Sequence, residues 1–465
     1  MPLLPMPPLP TLEELHLESQ QADAACLQAI AAHTSLTHLR LACCGLREVP
    51  AGFSGLTALR YLDLSDNNEL CGGWQHLASC TSLTCLCLFD QSMAEVPPAL
   101  AGLTGLQALA LGRHNEDGYE LCSGLQHLAG LTGLTRLSLA LDQDVPLSAT
   151  ATLTGLLDLS VFSRFLLCEV HAIAAMHQLT SLSLHETADL LAPWLSGLTA
   201  LRELTVTGWG TDFAAPDAWD CLLPLRRLTR LDLGSILGAV RLVLHWLTQL
   251  RQLRIWCGYL GDEAGWEHLS NLSQLEELDI SVTDVTALPA AISCLTALCS
   301  LDVARTRIQR LPAWLASLPR LTSLVLGGCE ELVDVEHLSG LTSLSKLCLV
   351  HCQQAPWPAS LGMLRGLRDL TIWCSPCMES SSSVQDWSPL ECLGSLTRLS
   401  LPFGRLTVLP AAMSSLTLLE RLELQWSRVT CGWEHLLPLR SLRTVATSRD
   451  SEASMPPWLR ARLRL

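Results

Sequence analysis

The sequence predicts an α/β solenoid: one long parallel sheet lines a concave face, and short helices, 3-10 turns and loops return each coil along the convex face. Three observations predict it. The phrase L-x-x-L-x-L, with Val or Ile allowed last, begins nineteen times between Leu12 and Leu442, the final copy imperfect, at a mean spacing of about 24 residues. Within each copy the x-L-x-L step alternates with the two-residue period of a strand, so that Leu62 and Leu64 face inward while Tyr61 and Asp63 face out. Between strands, the returning segments fall into two recurring types.

The elements follow in order. Residues 1–11 are a proline-rich lead-in, and residues 12–465 are expected to form a single domain of about nineteen repeats. Proline-bearing returns occur at Glu48-Val49-Pro50, Glu95-Val96-Pro97, Ala287-Leu288-Pro289, Arg310-Leu311-Pro312, Trp357-Pro358 and Val408-Leu409-Pro410. The second type carries a His-Leu pair, led by His76, His127, His268, His337 and His435. Because these histidines recur at one repeat position, they read as packing or backbone-capping residues rather than as metal ligands or bases. The repeats over residues 106–133, 201–227 and 367–395 are longer than the rest, and insertions in a solenoid go to surface loops. The last includes four consecutive serines from Ser380 to Ser383, a loop open to phosphorylation, although tolerance of insertion is the simpler account. One coil cannot bury enough apolar surface to offset the entropy of ordering it, so each needs its neighbours. At the C-terminal end, Pro456-Pro457-Trp458-Leu459 reads as a cap over the last core layer.

Composition narrows the class. The net charge is -15 and Lys346 is the single lysine, which excludes the clustered positive charge that nucleic-acid binding needs. Hydrophobic residues make up 49%, yet the greasiest run, residues 236–247, is broken by Arg241 and His245, short of the ~18 apolar residues of a membrane span. The twenty cysteines mostly stand singly at repeat positions, the usage of a reducing compartment rather than of a disulfide framework. The opening decapeptide holds five prolines and no charged flank, a poor secretion signal.

Just past the strands, where one family usually carries Asn or Cys, stand Asn67, Cys44, Cys329 and Cys352, with Thr283, Thr306, Ser375 and Ser427 elsewhere. Such side chains satisfy backbone groups that the strand ladder leaves over. Arg164, Trp209 and Gly258 depart from this pattern. Over nearly its whole length the chain resembles leucine-rich repeat proteins. The units at residues 321–340 and 406–416 resemble the intracellular subclass found in plant immune receptors and signalling scaffolds. The resemblance implies a horseshoe fold, a cytoplasmic setting, with a cytoskeletal or axonemal one as a variant, and a protein partner.

Chemistry is not visible. Phosphate loop, H-E-x-x-H, kinase catalytic loop and G-x-S-x-G elbow are all missing from the sequence, so no catalytic, cofactor-binding or metal residue is assigned and the chain is not expected to be an enzyme. Cys374-Ser375-Pro376-Cys377 has C-x-x-C spacing without the second pair a zinc site needs, and Cys85 with Cys87 reads as a chance pair on one strand. The repeat phase gives the column of side chains on the sheet face. It is small and neutral from Ala110 to Thr205 and charged from Asp232 to Asp302. At the strand ends stand Trp256, Trp373, Phe403 and Trp426. Aromatics flanked by charges make interface hot spots. The expected protein-binding residues are therefore Arg254, Trp256, Glu277, Asp279 and Asp302, with Trp373 and Trp426 further along. The resulting expectation is a non-enzymatic scaffold that binds a protein on its concave face. The rival is a recognition or regulatory subunit of an enzyme complex such as a ubiquitin ligase, which needs a helical docking module outside the repeats.

Overall fold

A computed structural model describes residues 12–89, 93–112, 121, 123–141, 145–163, 169, 171–186, 193–212, 220–237, 244–258, 266–350, 359–372, 386–401, 406–425 and 427–463. The proline-rich lead-in, the serine run, the C-x-x-C pair, Phe403, Trp373 and Trp426 lie outside them.

The chain forms two compact units, Met1–Ser235 and Ile236–Leu465. In the first, strands β1 (Glu14–Glu18), β2 (His38–Ala42), β3 (Tyr61–Asp63), β4 (Cys85–Phe89), β5 (Ala108–Gly112), β6 (Arg136–Ala140), β7 (Asp158–Phe162), β8 (Ser181–His185) and β9 (Glu203–Asp212) pair successively in parallel, and β10 (Arg230–Leu237) follows beside β9. In the second, β11 (Gln252–Trp256), β12 (Glu277–Asp279), β13 (Ser300–Asp302), β14 (Ser323–Val325), β15 (Lys346–Leu349), β16 (Asp369–Ile372), β17 (Arg398–Ser400), β18 (Arg421–Leu424) and β19 (Thr444–Thr447) do the same. This is the fold of a leucine-rich repeat solenoid. The register is the one that the repeat phase predicts: Leu39 lies beside Leu62, Leu62 beside Leu86, Leu278 beside Leu301. A slip of one residue would turn every leucine to solvent, so burial of one face holds the register.

Beyond the first copy, where Leu12 and Leu17 are half-buried, the leucines of the motif are buried, Leu36, Leu39, Leu41, Leu59, Leu62 and Leu64 completely. Where the return carries proline, a 3-10 turn starts directly after it, as in Ala51–Gly55, Pro98–Gly102, Ala290–Cys294, Ala313–Ser317 and Ala411–Ser415. Proline's fixed φ pre-sets that start, and its carbonyl accepts the third residue's N–H, Phe53 to Pro50 at 3.0 Å and Leu100 to Pro97 at 3.0 Å. That third residue (Phe53, Leu100, Ile292, Leu315 or Met413) closes the core from the outside. In the returns that carry His76, His127 and His435 a left-handed glycine precedes the turn, Gly73 at φ +78°, Gly124 at +89° and Gly432 at +85°. A Cβ on Gly124 would meet the Val96 backbone nitrogen at 2.6 Å, so only glycine fits. The backbone N–H of His76, His127 and His435 donates to the glycine carbonyl, while the rings lie on the surface, His127 3.8 Å from Glu95.

Past the strand the chain takes one left-handed residue and then a side chain that caps it. Cys43, Asp66, Val282 and Arg305 have φ between +55° and +60°, each just before Cys44, Asn67, Thr283 or Thr306. For the β-branched Val282 this conformation is strained, and the next side chain helps hold it. Asn67 is the fullest case. Its amide donates to the carbonyls of Leu41 (2.9 Å) and Leu64 (2.7 Å) and accepts from the N–H groups of Cys44 (2.9 Å) and Leu46 (3.0 Å). Thr283, Thr306 and Cys329 make the single donor bond to Ile280, Val303 and Val303. At the C-terminal end, helices Arg449–Ser454 and Pro457–Leu463 lay Met455 and Leu459 over the last coil, with Ser448 accepting from Ser451 N–H as helix cap.

Asn67→Ala is expected to cost about 3 kcal/mol, because it leaves several buried backbone groups unpaired. Asn67→Asp does not restore the loss, since a carboxylate lacks both donors. Denaturant midpoints of the three proteins measure this, and a cost below about 1 kcal/mol for Asn67→Ala contradicts it.

Candidate functional site

In each unit the sheet presents two columns of side chains, and the ladder fixes which ones meet. Among the expected binding residues, Arg254, Asp279 and Asp302 occupy one column on β11, β12 and β13, and Glu277 stands exposed in the next. The Arg254 guanidinium donates from Nε to Asp279 Oδ2 at 2.9 Å, and Arg251 Nη1 reaches Glu276 Oε1 at 2.6 Å beside them. Each aspartate also has a local task. Asp279 Oδ1 accepts the Ser281 N–H at 2.9 Å and Asp302 Oδ1 the Ala304 N–H at 2.9 Å, as Asp63 does for Ser65 at 3.0 Å. These carboxylates tie down the turn that leaves the strand. Burial pushes the Asp302 carboxyl above the usual carboxylate range, the Ala304 N–H opposes the rise and the Asp279 charge adds to it. Trp256 ends β11 half-buried rather than free in solvent. The structure thus brings five of the seven residues together on neighbouring strands, and the remaining two, Trp373 and Trp426, lie outside the described residues.

The sheet face of the first unit holds a second site. It starts with an ion-pair row, Arg40 between Glu18 (3.6 Å) and Asp63 (3.2 Å), which leaves Asp63 buried although it points away from the core. Next to it, where the columns turn to alanine and serine, a depression of 650 Å³ opens, lined by Tyr61, Cys85, Cys87, Ala108, Ala110 and Arg136 among others. Small side chains on β5 create the room, because Ala108 and Ala110 stand in register with Cys85 and Cys87. Here three groups form a hydrogen-bond chain. The Tyr61 hydroxyl donates to the Cys87 sulfur, and the Cys87 thiol donates to the Cys85 sulfur. The Cys85 thiol falls to about 7 because Cys87 donates to it; burial opposes the fall and the Arg136 guanidinium assists it. Cys87 moves far upward, first because it donates to Cys85 and then because it is buried. Burial likewise raises the Tyr61 hydroxyl.

At the ends of these strands aromatic rings lie over small residues. Phe89 on β4 meets Phe162 on β7 edge-on at 6.5 Å, across Gly112 and Ala140, and Phe162 stacks on His185 at 4.3 Å. His185 Nδ1 lies 3.1 Å from Thr207 Oγ1. Sequence reasoning missed this row and the depression. The signal was present in both cases: Gly112 and Ala140 at the last strand position, and the neutral alanines and serines of the middle columns.

Since the native fold favours the Cys85 thiolate, its contribution to stability is complete above the unfolded thiol's pKa near 9 and is lost as pH falls through about 7. The same sign predicts that alkylation of Cys85 rises with a midpoint near pH 7, whereas Cys348, which burial and the Asp302 charge push up to about 11, stays unreactive there. Residue-resolved iodoacetamide rates against pH check this, and equal midpoints for the two thiols contradict it.

Residues 250–459 match the model of the leucine-rich repeat region family. No curated protein matches the chain in sequence. Among solved structures, the fold is similar to a leucine-rich repeat protein of Leptospira interrogans, at 19% identity, covering 97% of this chain and 98% of that one, with a TM-score of 0.59. It is also similar to the receptor described as TDR, at 18% identity over 92% of this chain and 72% of that one, with a TM-score of 0.52. At such identities the likeness speaks for fold alone. The nineteen phased strand motifs, the ladder they build and the matched repeat region together give the chain a leucine-rich repeat fold.

Proposed function

We propose that this chain is a non-enzymatic interaction scaffold that takes a protein partner on the sheet face and along the C-terminal edge of its strands. The observation that carries the reading is the use of large aromatic side chains outside the core. Phe89 meets Phe162 edge-on and Phe162 stacks on His185 at the strand ends of the first unit, and Trp256 holds the same place in the second. Half-buried rings on a rigid ladder offer contact area with little side-chain entropy left to lose on binding. Beside Trp256, the partner surface of the second unit consists of Arg254, Glu277, Asp279 and Asp302, with Trp373 and Trp426 as further members. The charges there favour orientation and partner choice more than affinity.

One further observation supports the reading. The fifteen described cysteines are all free thiols, which fits the reducing, cytoplasmic setting we infer.

Asp279 has a structural task, so the test uses side chains that do not hold a turn. Partners captured from the native cell with the full chain are compared between wild type, Phe162→Ala and the Trp256→Ala, Glu277→Ala double variant. At least one variant is expected to bind about tenfold or more weakly, as truncating a hot spot does, with an unchanged denaturation midpoint. Wild-type affinity in both variants contradicts the reading.

A further inference from the structure

Cys85 and Cys87 leave β4 on the same face with one residue between them, and both line the depression. On an extended strand, such positions have Cα atoms about 6.6 Å apart and parallel Cα–Cβ bonds, whereas a disulfide wants its Cβ atoms only about 3.5 to 4.5 Å apart. The backbone cannot yield to close that gap, because β4 is pinned on both sides: Cys85 pairs with Tyr61 and Ala108, Cys87 with Asp63 and Ala110. The side chains nevertheless lean together far enough for the Cys87 thiol to donate to the Cys85 sulfur. Two sulfurs on one strand face that the pinned backbone keeps from bonding to each other are a ligand pair for an ion placed between them.

We propose that Cys85 and Cys87 form a two-coordinate site for a soft monovalent cation, Cu(I), on the sheet face of the first unit. Thiolate sulfur selects soft metals. Zinc is excluded by coordination number, since it takes four protein ligands in a structural site, and among the described residues no third Cys, His, Asp or Glu joins the pair. Charge points the same way. Binding replaces the Cys87 proton, so that Cu(I), one thiolate and one thiol give a bis-thiolate complex of charge minus one and release one proton. No oxidant or reductant takes part. The Arg136 guanidinium, which acts on Cys85 as a favourable charge, then faces an anionic complex, and the Tyr61 hydroxyl donates to the Cys87 sulfur. Ala108 and Ala110 leave the space in front of the sulfurs open.

The test uses the full chain without oxygen, in a Cys374→Ser, Cys377→Ser background that removes the C-x-x-C pair as a competitor. One equivalent of Cu(I), supplied as its acetonitrile complex, is added before iodoacetamide, and alkylation is read residue by residue by mass spectrometry. Cys85 and Cys87 are expected to be protected together by more than about tenfold, while the exposed single thiols Cys43, Cys71 and Cys257 react as before. Cys85→Ser is expected to abolish protection of Cys87, and one equivalent of Zn(II) in place of Cu(I) is expected to protect neither. The proposal is overturned if the pair alkylates at its copper-free rate, if protection spreads equally over the exposed thiols, if Cys87 stays protected without Cys85, or if Zn(II) protects as well as Cu(I).

Discussion

A motif leucine in this chain is covered by the leucines one repeat before and one repeat after it, and its burial depends on theirs. The parallel ladder sets Leu253, Leu278 and Leu301 side by side, and the 3-10 returns press Ile292 and Leu315 against the same layer from outside. No coil has a core of its own. What a coil does have is its turn, and there the chain accepts local strain: a left-handed residue past the strand, held in place by Asn67, Thr283 or Thr306 donating to strand carbonyls. The ladder gives the energy, and the turn residues give the geometry that lets the ladder repeat.

That constraint also writes the surface. Once the leucines must face inward, their alternating neighbours must face outward, in columns whose members lie one strand spacing apart. Function then has few variables: which side chain stands in which column of which strand. Alanines in register with Cys85 and Cys87 open a depression, and Gly112 and Ala140 let Phe89 reach Phe162. Asp279 serves the fold and the surface together, since one oxygen holds the backbone while the other is left for Arg254.

The strands, their register and the capping role of Asn67 were legible in the sequence because each follows from one period applied nineteen times. The individuality of the surface was less legible. Asp279 and Asp302 read as binding residues in a charged column, yet their turn bonds depend on backbone directions that spacing does not reveal. Cys85 and Cys87 read as a chance pair because the tyrosine beside them comes from the neighbouring strand, where Tyr61 pairs with Cys85 across 24 residues of sequence. The left-handed glycines before His76, His127 and His435 passed unnoticed beside the histidines themselves, although the glycine backbone makes the turn and the ring does not.

The mutual dependence of neighbouring coils is tested most directly by hydrogen exchange in a Leu278→Ala variant, where the removed side chain is fully enclosed and the substitution leaves the backbone pattern intact. If each coil is stable only through its neighbours, the amides of β11 and β13 lose protection along with those of β12, and the loss fades with distance along the ladder. If β12 alone exchanges faster while β11 and β13 keep wild-type protection, the coils stand independently and shared burial is not what holds the ladder together.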